Sequence, residues 1–155
     1  RLTSSEILDL LEVAAVRRCF GLDDAALTLV QRWIKDAGVR WGLDESHRQR
    51  LDLAAAQETN SWRFGLRRML LGFAVGEGES WHGIEPYAEI GGLEAASLGP
   101  LVQLLDRLDE SQLELAEPAE PAAWVLRLRA LMARFFVPTS ETETLLLAQL
   151  QGLLD

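Results

Sequence analysis

Apolar residues recur every three or four positions along almost the whole chain, which is the spacing of one face of an α-helix. Thr3 and Glu6 stand at capping-box spacing and predict a helix to about Arg18, with Gly21 breaking the chain after it. Asp23 or Asp24 can cap a second helix, in which Leu27, Val30, Trp33 and Ile34 form the apolar face until Gly38 ends it. Asp44 predicts a short helix to about Asp52, and polar Gln57 to Ser61 leads into a further helix over Trp62–Val75. Glycine dominates residues 76–92, which read as a long loop, and a leucine-rich helix follows over about 93–109. Glu117 to Pro121 is a turn, with Pro121 suited to a first helical turn. The next helix runs to about Phe136 and stops before Pro138, and Ser140 with Glu143 repeats the capping-box spacing before the last one. No alternating run is long enough for a strand, and no internal repeat is present. The expected fold is an irregular all-α, multi-helix domain over 1–155. It divides into arginine-rich helices (1–75), the glycine-rich loop (76–92) and acidic, leucine-rich helices (93–155).

Residues 61–75 carry the most unusual pattern. On a helix, Trp62, Leu66, Met69 and Phe73 form one stripe, and Phe64 and Leu71 project from nearly the opposite side. A helix that is apolar on two faces is expected between two layers. Gly65 and Gly72 fall on one line of this helix. Each costs about 1 kcal/mol of helix stability relative to alanine, so two in register predict close approach by another backbone. Arg63 and Arg67 are one turn apart on a shared side. They either pair with carboxylates or cap carbonyls inside the domain, or they hold a phosphate or a partner carboxylate.

Charge is unevenly spread. The net charge is −9, yet residues 1–75 hold 11 Lys/Arg against 10 Asp/Glu, while residues 76–155 hold 4 against 14. Such a chain repels a phosphate backbone overall, so any polyanion contact is expected in the first half. There Arg40, Arg48, Arg50, Arg63, Arg67 and Arg68 gather. The plainer reading pairs them with Asp44, Glu45, Asp52 and Glu58 on a solvated face. Cys19 is the only cysteine, which excludes a disulfide framework and fits a reducing, cytoplasmic setting. Beside Phe20 it reads as a small buried hydrophobe, and His47, among charged residues, reads as a surface histidine. No apolar run is long enough to span a bilayer. The chain starts at Arg1 without an initiator Met, which predicts a piece of a longer protein.

Several chemistries are absent. Lys35 is the only lysine, and no glycine-rich turn runs into Gly-Lys-Ser/Thr, so no loop is built to cradle nucleotide phosphates. No Gly-x-Ser-x-Gly elbow and no paired carboxylates with a lysine are present. Neither catalysis nor a bound cofactor is expected of this segment. Glu77, Glu79, His82 and Glu85 crowd into the loop as hard donors with an imidazole, but their spacing matches no metal motif and reads as an exposed acidic loop.

One resemblance is specific. Trp62-Arg63-Phe64-Gly65-Leu66-Arg67-Arg68-Met69-Leu70-Leu71-Gly72 resembles a signature of the exodeoxyribonuclease V gamma-subunit family, the RecC family of RecBCD helicase–nucleases. Ala37-Gly38-Val39-Arg40-Trp41-Gly42-Leu43-Asp44 resembles the same family. So do Pro86-Tyr87 with Gly91-Gly92-Leu93, and Phe135-Phe136 with Pro138 and the acidic helix start after it. These blocks stand in family order over nearly the whole chain. The chain departs where the family tends to carry proline near Ala14 and a basic residue near Cys19.

The resemblance implies a position and a role. It implies the 2B-like helical insertion of a helicase-like half whose ATPase motifs have decayed, with ATP and Mg used by partner subunits. It implies RecB-like and RecD-like partners, DNA engaged through the full complex, and participation in unwinding, degradation and the response to Chi during double-strand break repair. Arg40, Arg63, Arg67 and Arg68 become candidates for DNA or partner contact, and Trp41, Gly42, Trp62, Gly65 and Gly72 are family-characteristic positions. The alternatives are a protein-interaction module without nucleic acid, and the equivalent segment of an AddB-type subunit.

Overall fold

The Thr3 hydroxyl accepts from the Glu6 amide at 3.2 Å, and the Glu6 carboxylate accepts from the Thr3 amide at 2.8 Å, closing the capping box that starts α1 (Ser4–Glu12). The computed structural model describes residues 1–53 and 57–154. α1 does not continue to Arg18. Val13 is extended, with ψ 109, and a separate α2 (Ala14–Cys19) follows. The break is stabilised by Arg17, whose guanidinium donates to Leu11 O at 2.7 Å and Glu12 O at 2.8 Å, taking up carbonyls that the end of α1 leaves without partners. Of the two candidate caps for α3 (Asp24–Asp36), Asp23 serves, accepting from the Ala26 amide at 2.7 Å. Gly38, at φ +75, turns the chain after it.

Asp44 caps α4 (Glu45–Gln49), which is shorter than expected, and Ser61 caps α5 (Trp62–Val75). The loop that follows is pinned. Trp81 and Ile84 exchange two backbone bonds of 2.9 Å across a tight turn, and Tyr87 and Ile90 are buried. A 3-10 turn, Gly92–Ser97, leads into α6 (Leu98–Ala116), so the leucine-rich helix starts and ends later than its sequence suggests. Pro121 opens α7 (Pro121–Phe135) and Ser140 caps α8 (Glu141–Gly152). Here the capping box is incomplete: the Glu143 carboxylate turns to the Thr139 amide at 2.9 Å and to Arg18 at 2.6 Å. The described residues form eight α-helices and no strand, an all-α fold.

One apolar cluster joins Ile7 and Leu11 of α1, Val30, Trp33 and Ile34 of α3, Trp62, Leu66 and Met69 of α5, and Leu101, Leu104 and Leu105 of α6. From α7 only Phe135 enters it, with its ring 5.8 Å from that of Phe20, and α8 buries no residue. Phe73 departs from the expected stripe: it is 53% exposed, because the last turn of α5 projects beyond the core. Phe64 and Leu71 are half-buried, so the second covered side of α5 is formed by its glycines and not by aromatic packing.

Candidate functional site

The signature residues meet along one rail of backbone. Segment 38–43 runs between the N-terminal residues and the start of α5. Ser4 N donates to Arg40 O at 2.8 Å, and Gly42 N donates to Leu2 O at 3.1 Å. On the other side Trp62 N donates to Gly42 O at 3.0 Å and Arg63 N to Leu43 O at 2.9 Å. The first amides of α5 have no partner within the helix, and this rail supplies their acceptors. Trp62 is fully buried, and its indole Nε1–H donates to Leu2 O at 2.9 Å.

Gly65 and Gly72 explain how α5 sits so close. A side chain at Gly65 would collide with the Val39 side chain on the rail. One at Gly72 would overlap the backbone carbonyl of Tyr87. The close backbone approach expected of both glycines is realised at Gly72, while at Gly65 the neighbour is a side chain. Gly42 has φ +76, and a Cβ there would lie 2.8 Å from Arg48 Nε, so its absence leaves room for the Arg48 side chain.

Arg48 is the residue that sequence reasoning misread. It is 5% exposed and belongs to no solvated face. Its guanidinium donates to Trp41 O at 2.7 Å, to Thr59 O at 3.0 Å and to Gln57 O, and it lies 4.4 Å from the centre of the Trp41 ring. Burial draws its pKa below the ordinary arginine value. His47 is likewise no surface histidine: it is 3% exposed, with Nε2 3.2 Å from Gln112 Oε1. Desolvation lowers its pKa from the ordinary 6.5. The available signal was that α4 follows directly on the buried Leu43, which places one side of this short helix against the core.

The candidate arginines separate into two groups. Arg63 pairs with Asp106 at 2.5 Å, Arg67 pairs with Glu58, and Arg68 donates to Ala37 O at 2.8 Å and Glu85 O at 2.9 Å. Arg50, which follows α4 directly, pairs with Asp109 at 2.8 Å. Only Glu58 comes from the acids first expected to serve. The α6 carboxylates Asp106 and Asp109 draw Arg63 and Arg50 across the fold, so part of the acidic half neutralises the basic half. Arg40 differs. It is exposed, and among the described residues its guanidinium has no hydrogen-bond or ion-pair partner. With Lys35 and Trp41 it lines an open groove of about 1190 Å³ between the start of α1, the end of α3 and the segment after α4.

Glu77, Glu79, His82 and Glu85 are exposed along their loop. Among the described residues no group of three or more His, Cys, Asp or Glu is gathered closely enough to hold a metal ion. Cys19 is half-buried, its Sγ 3.3 Å from Arg134 O, and burial raises its pKa. No helix among the described residues is long and apolar enough to cross a membrane.

The family model for the fourth domain of the RecBCD enzyme subunit RecC matches residues 1–155. The chain belongs to the RecC family. The RecBCD enzyme subunit RecC of Escherichia coli K12 is 36% identical over 145 residues, covering 92% of this chain and 13% of that protein. The protein of the same name from Mycobacterium tuberculosis H37Rv is 33% identical over 127 residues, covering 81% of this chain and 12% of the relative. That of Haemophilus influenzae is 29% identical over 145 residues, covering 93% and 12%. The chain therefore spans about an eighth of the length of the curated RecC relatives it matches. The resemblance read from the signature blocks holds, and the elements those blocks build, α5 and its rail, are elements of a RecC fourth domain.

Proposed function

We propose that this segment is a non-catalytic scaffold and DNA-guiding element of an exodeoxyribonuclease V gamma subunit. It acts within a RecBCD-type complex, beside RecB-like and RecD-like subunits, in the cytoplasm. The complex unwinds and degrades DNA and responds to Chi during double-strand break repair, with ATP and Mg bound by the partner subunits. Within the gamma subunit the segment corresponds to a 2B-like helical insertion of a helicase-like half. The observation that carries this reading is the match to the RecC fourth domain along the whole of residues 1–155. The internal ties of Arg50, Arg63 and Arg68 support the scaffold part, since they join α6 to the end of α4 and to α5, and α5 to the residue after α3. Exposed Arg40 and the partly exposed Arg63 and Arg67 are the candidates for DNA or partner contact.

The test is the double substitution Arg63→Ala/Arg67→Ala in the full-length subunit, read by complex formation, unwinding and the Chi response. Loss of any of these is the expected result. If all three stay unchanged, the two arginines have no role in contact. A second reading, protein interaction without nucleic acid, is favoured by the net charge of −9. Binding to forked and single-stranded DNA across a salt titration separates the two, because phosphate contact weakens steeply with salt.

A further inference from the structure

The groove beside Arg40 has a composition of its own. Leu51, Leu53 and the partly buried Leu8 give it apolar surface over the buried Ile34 and Val39, and Trp41 stands at the same opening. Leu51 and Leu53 are 43% and 46% exposed, although they are large and apolar. Lys35, Arg40 and Arg1 supply positive charge, and among the described residues no Asp or Glu lines the groove. Among the described residues neither Lys35 nor Arg40 has a carboxylate within ion-pair distance. Exposed leucines beside unpaired cations of one sign match a partner segment that is apolar on one side and acidic at its edge.

The lining argues against a nucleic-acid strand. Single strands are held by aromatic faces on which bases stack. Among the described residues Trp41 is the one aromatic side chain of the lining, and the Arg48 guanidinium already covers its ring at 4.4 Å. The remaining surface offers aliphatic side chains with unpaired cations at the edge. Its complement is a short apolar protein segment flanked by carboxylates. Unpaired exposed cations also suit an interface formed between separately folded chains, where charge steers the encounter.

We infer that this groove is a docking site for an acidic, amphipathic segment of a neighbouring subunit, with Lys35 and Arg40 meeting its carboxylates and Leu51 and Leu53 its apolar side. The inference rests on the scaffold reading above and names the class of partner that reading leaves open.

The experiment places the photo-crosslinking residue p-benzoyl-phenylalanine at Leu51 in the full-length subunit, within the complex reconstituted from purified subunits with and without forked DNA. The expected result is a cross-link to a partner subunit at a peptide carrying Asp or Glu around apolar residues. Its yield should fall at least tenfold in Lys35→Glu/Arg40→Glu, and Glu→Lys or Asp→Lys changes in the cross-linked peptide should restore it. Both substituted positions are exposed, and an unchanged thermal midpoint confirms that the fold is intact. A cross-link to DNA, to a neutral or basic segment, to another part of the same chain, or to nothing despite verified incorporation overturns the inference. If the unmodified subunit assembles and unwinds DNA while the cross-link fails, only the groove assignment falls. If it assembles with no partner subunit, the scaffold reading falls with it.

Discussion

Gly72→Ala sets two opposing effects against each other, and the structure decides which wins. Helix propensity alone favours the substitution by about 1 kcal/mol. At Gly72, however, the new methyl group would overlap the Tyr87 carbonyl, which is backbone and cannot rotate away. The loop must retreat. Overpacking of this kind costs about 1–3 kcal/mol. The 2.9 Å bond from Tyr87 N to Arg68 O is strained or lost, at about 1 kcal/mol. Tyr87 and Ile90, now 8% and 3% exposed, withdraw partly from the core and give up a fraction of the roughly 1.5–3 kcal/mol that burying such a side chain provides. The net expectation is a loss of about 2–3 kcal/mol. At about 2–4 °C per kcal/mol for a chain of this length, the melting midpoint falls by about 5–10 °C. Urea unfolding followed by tryptophan fluorescence measures the free energy, and thermal unfolding followed by circular dichroism the midpoint. Gly152→Ala, at the end of α8, is the internal control, because nothing lies within 4 Å of a Cβ there and no proline follows it. It should be neutral or stabilising by up to about 1 kcal/mol. If Gly72→Ala matches wild type or gains stability as the control does, the loop does not rest on α5 as described.

Arg48→Ala should destabilise the chain by about 2–3 kcal/mol, because it takes the charged donor away from the partly buried bonds to the carbonyls of Trp41 and Thr59; chemical denaturation measures it, and a loss below 1 kcal/mol would contradict the weight given to these bonds. Burial holds the folded-state pKa of His47 below its ordinary 6.5, so the unfolded chain takes up the proton first as pH falls. Stability should therefore decline from about pH 7 downward through 6.5 toward the depressed folded value, and His47→Gln should flatten that part of the profile; equal slopes in the two proteins would refute it. The Arg63–Asp106 pair is about 40% exposed on each side, so a double-mutant cycle should give a coupling of at most about 1 kcal/mol, shrinking in high salt. A coupling of several kcal/mol would mean that the pair is far drier than its exposure states.

The elements that were legible in the sequence are those whose causes are local. Thr3, Asp23, Asp44, Ser61 and Ser140 each accept an amide three residues on, a bond that sequence spacing alone specifies. The Gly65/Gly72 register was legible for a similar reason: two costly residues on one helical line require a neighbour, although spacing cannot say whether that neighbour is backbone or side chain. What escaped depends on where side chains reach. Val13 breaks the first helix without a proline, because the Arg17 side chain folds back from the next helix to satisfy the freed carbonyls. Arg48 and Arg63 carry the same charge, fifteen positions apart. One is sealed over Trp41 and the other reaches α6, and only the folded position of each backbone separates them. The candidate arginines were therefore found as a group, while the exposure that distinguishes Arg40 came from the structure.

The last helix has a kinetic consequence. α8 places no residue in the core, and Leu145, Leu150 and Leu153 stand 63%, 52% and 81% exposed. Twelve residues are at the margin of what holds a helix in water by itself. Glu143 ties it to the rest of the chain, holding Arg18 and the Thr139 amide together, and Leu147 and Ala148 share a shallow crevice with Met132 and Phe136. The chain thus carries two grades of cooperativity. Amide protons in α3, α5 and α6 should exchange with solvent only when the whole molecule opens, whereas those of α8 should exchange through a cheap, separate opening that leaves the core closed. A protease cutting the native chain would enter there first, and adding denaturant would speed the slow class of amides while barely touching the fast one.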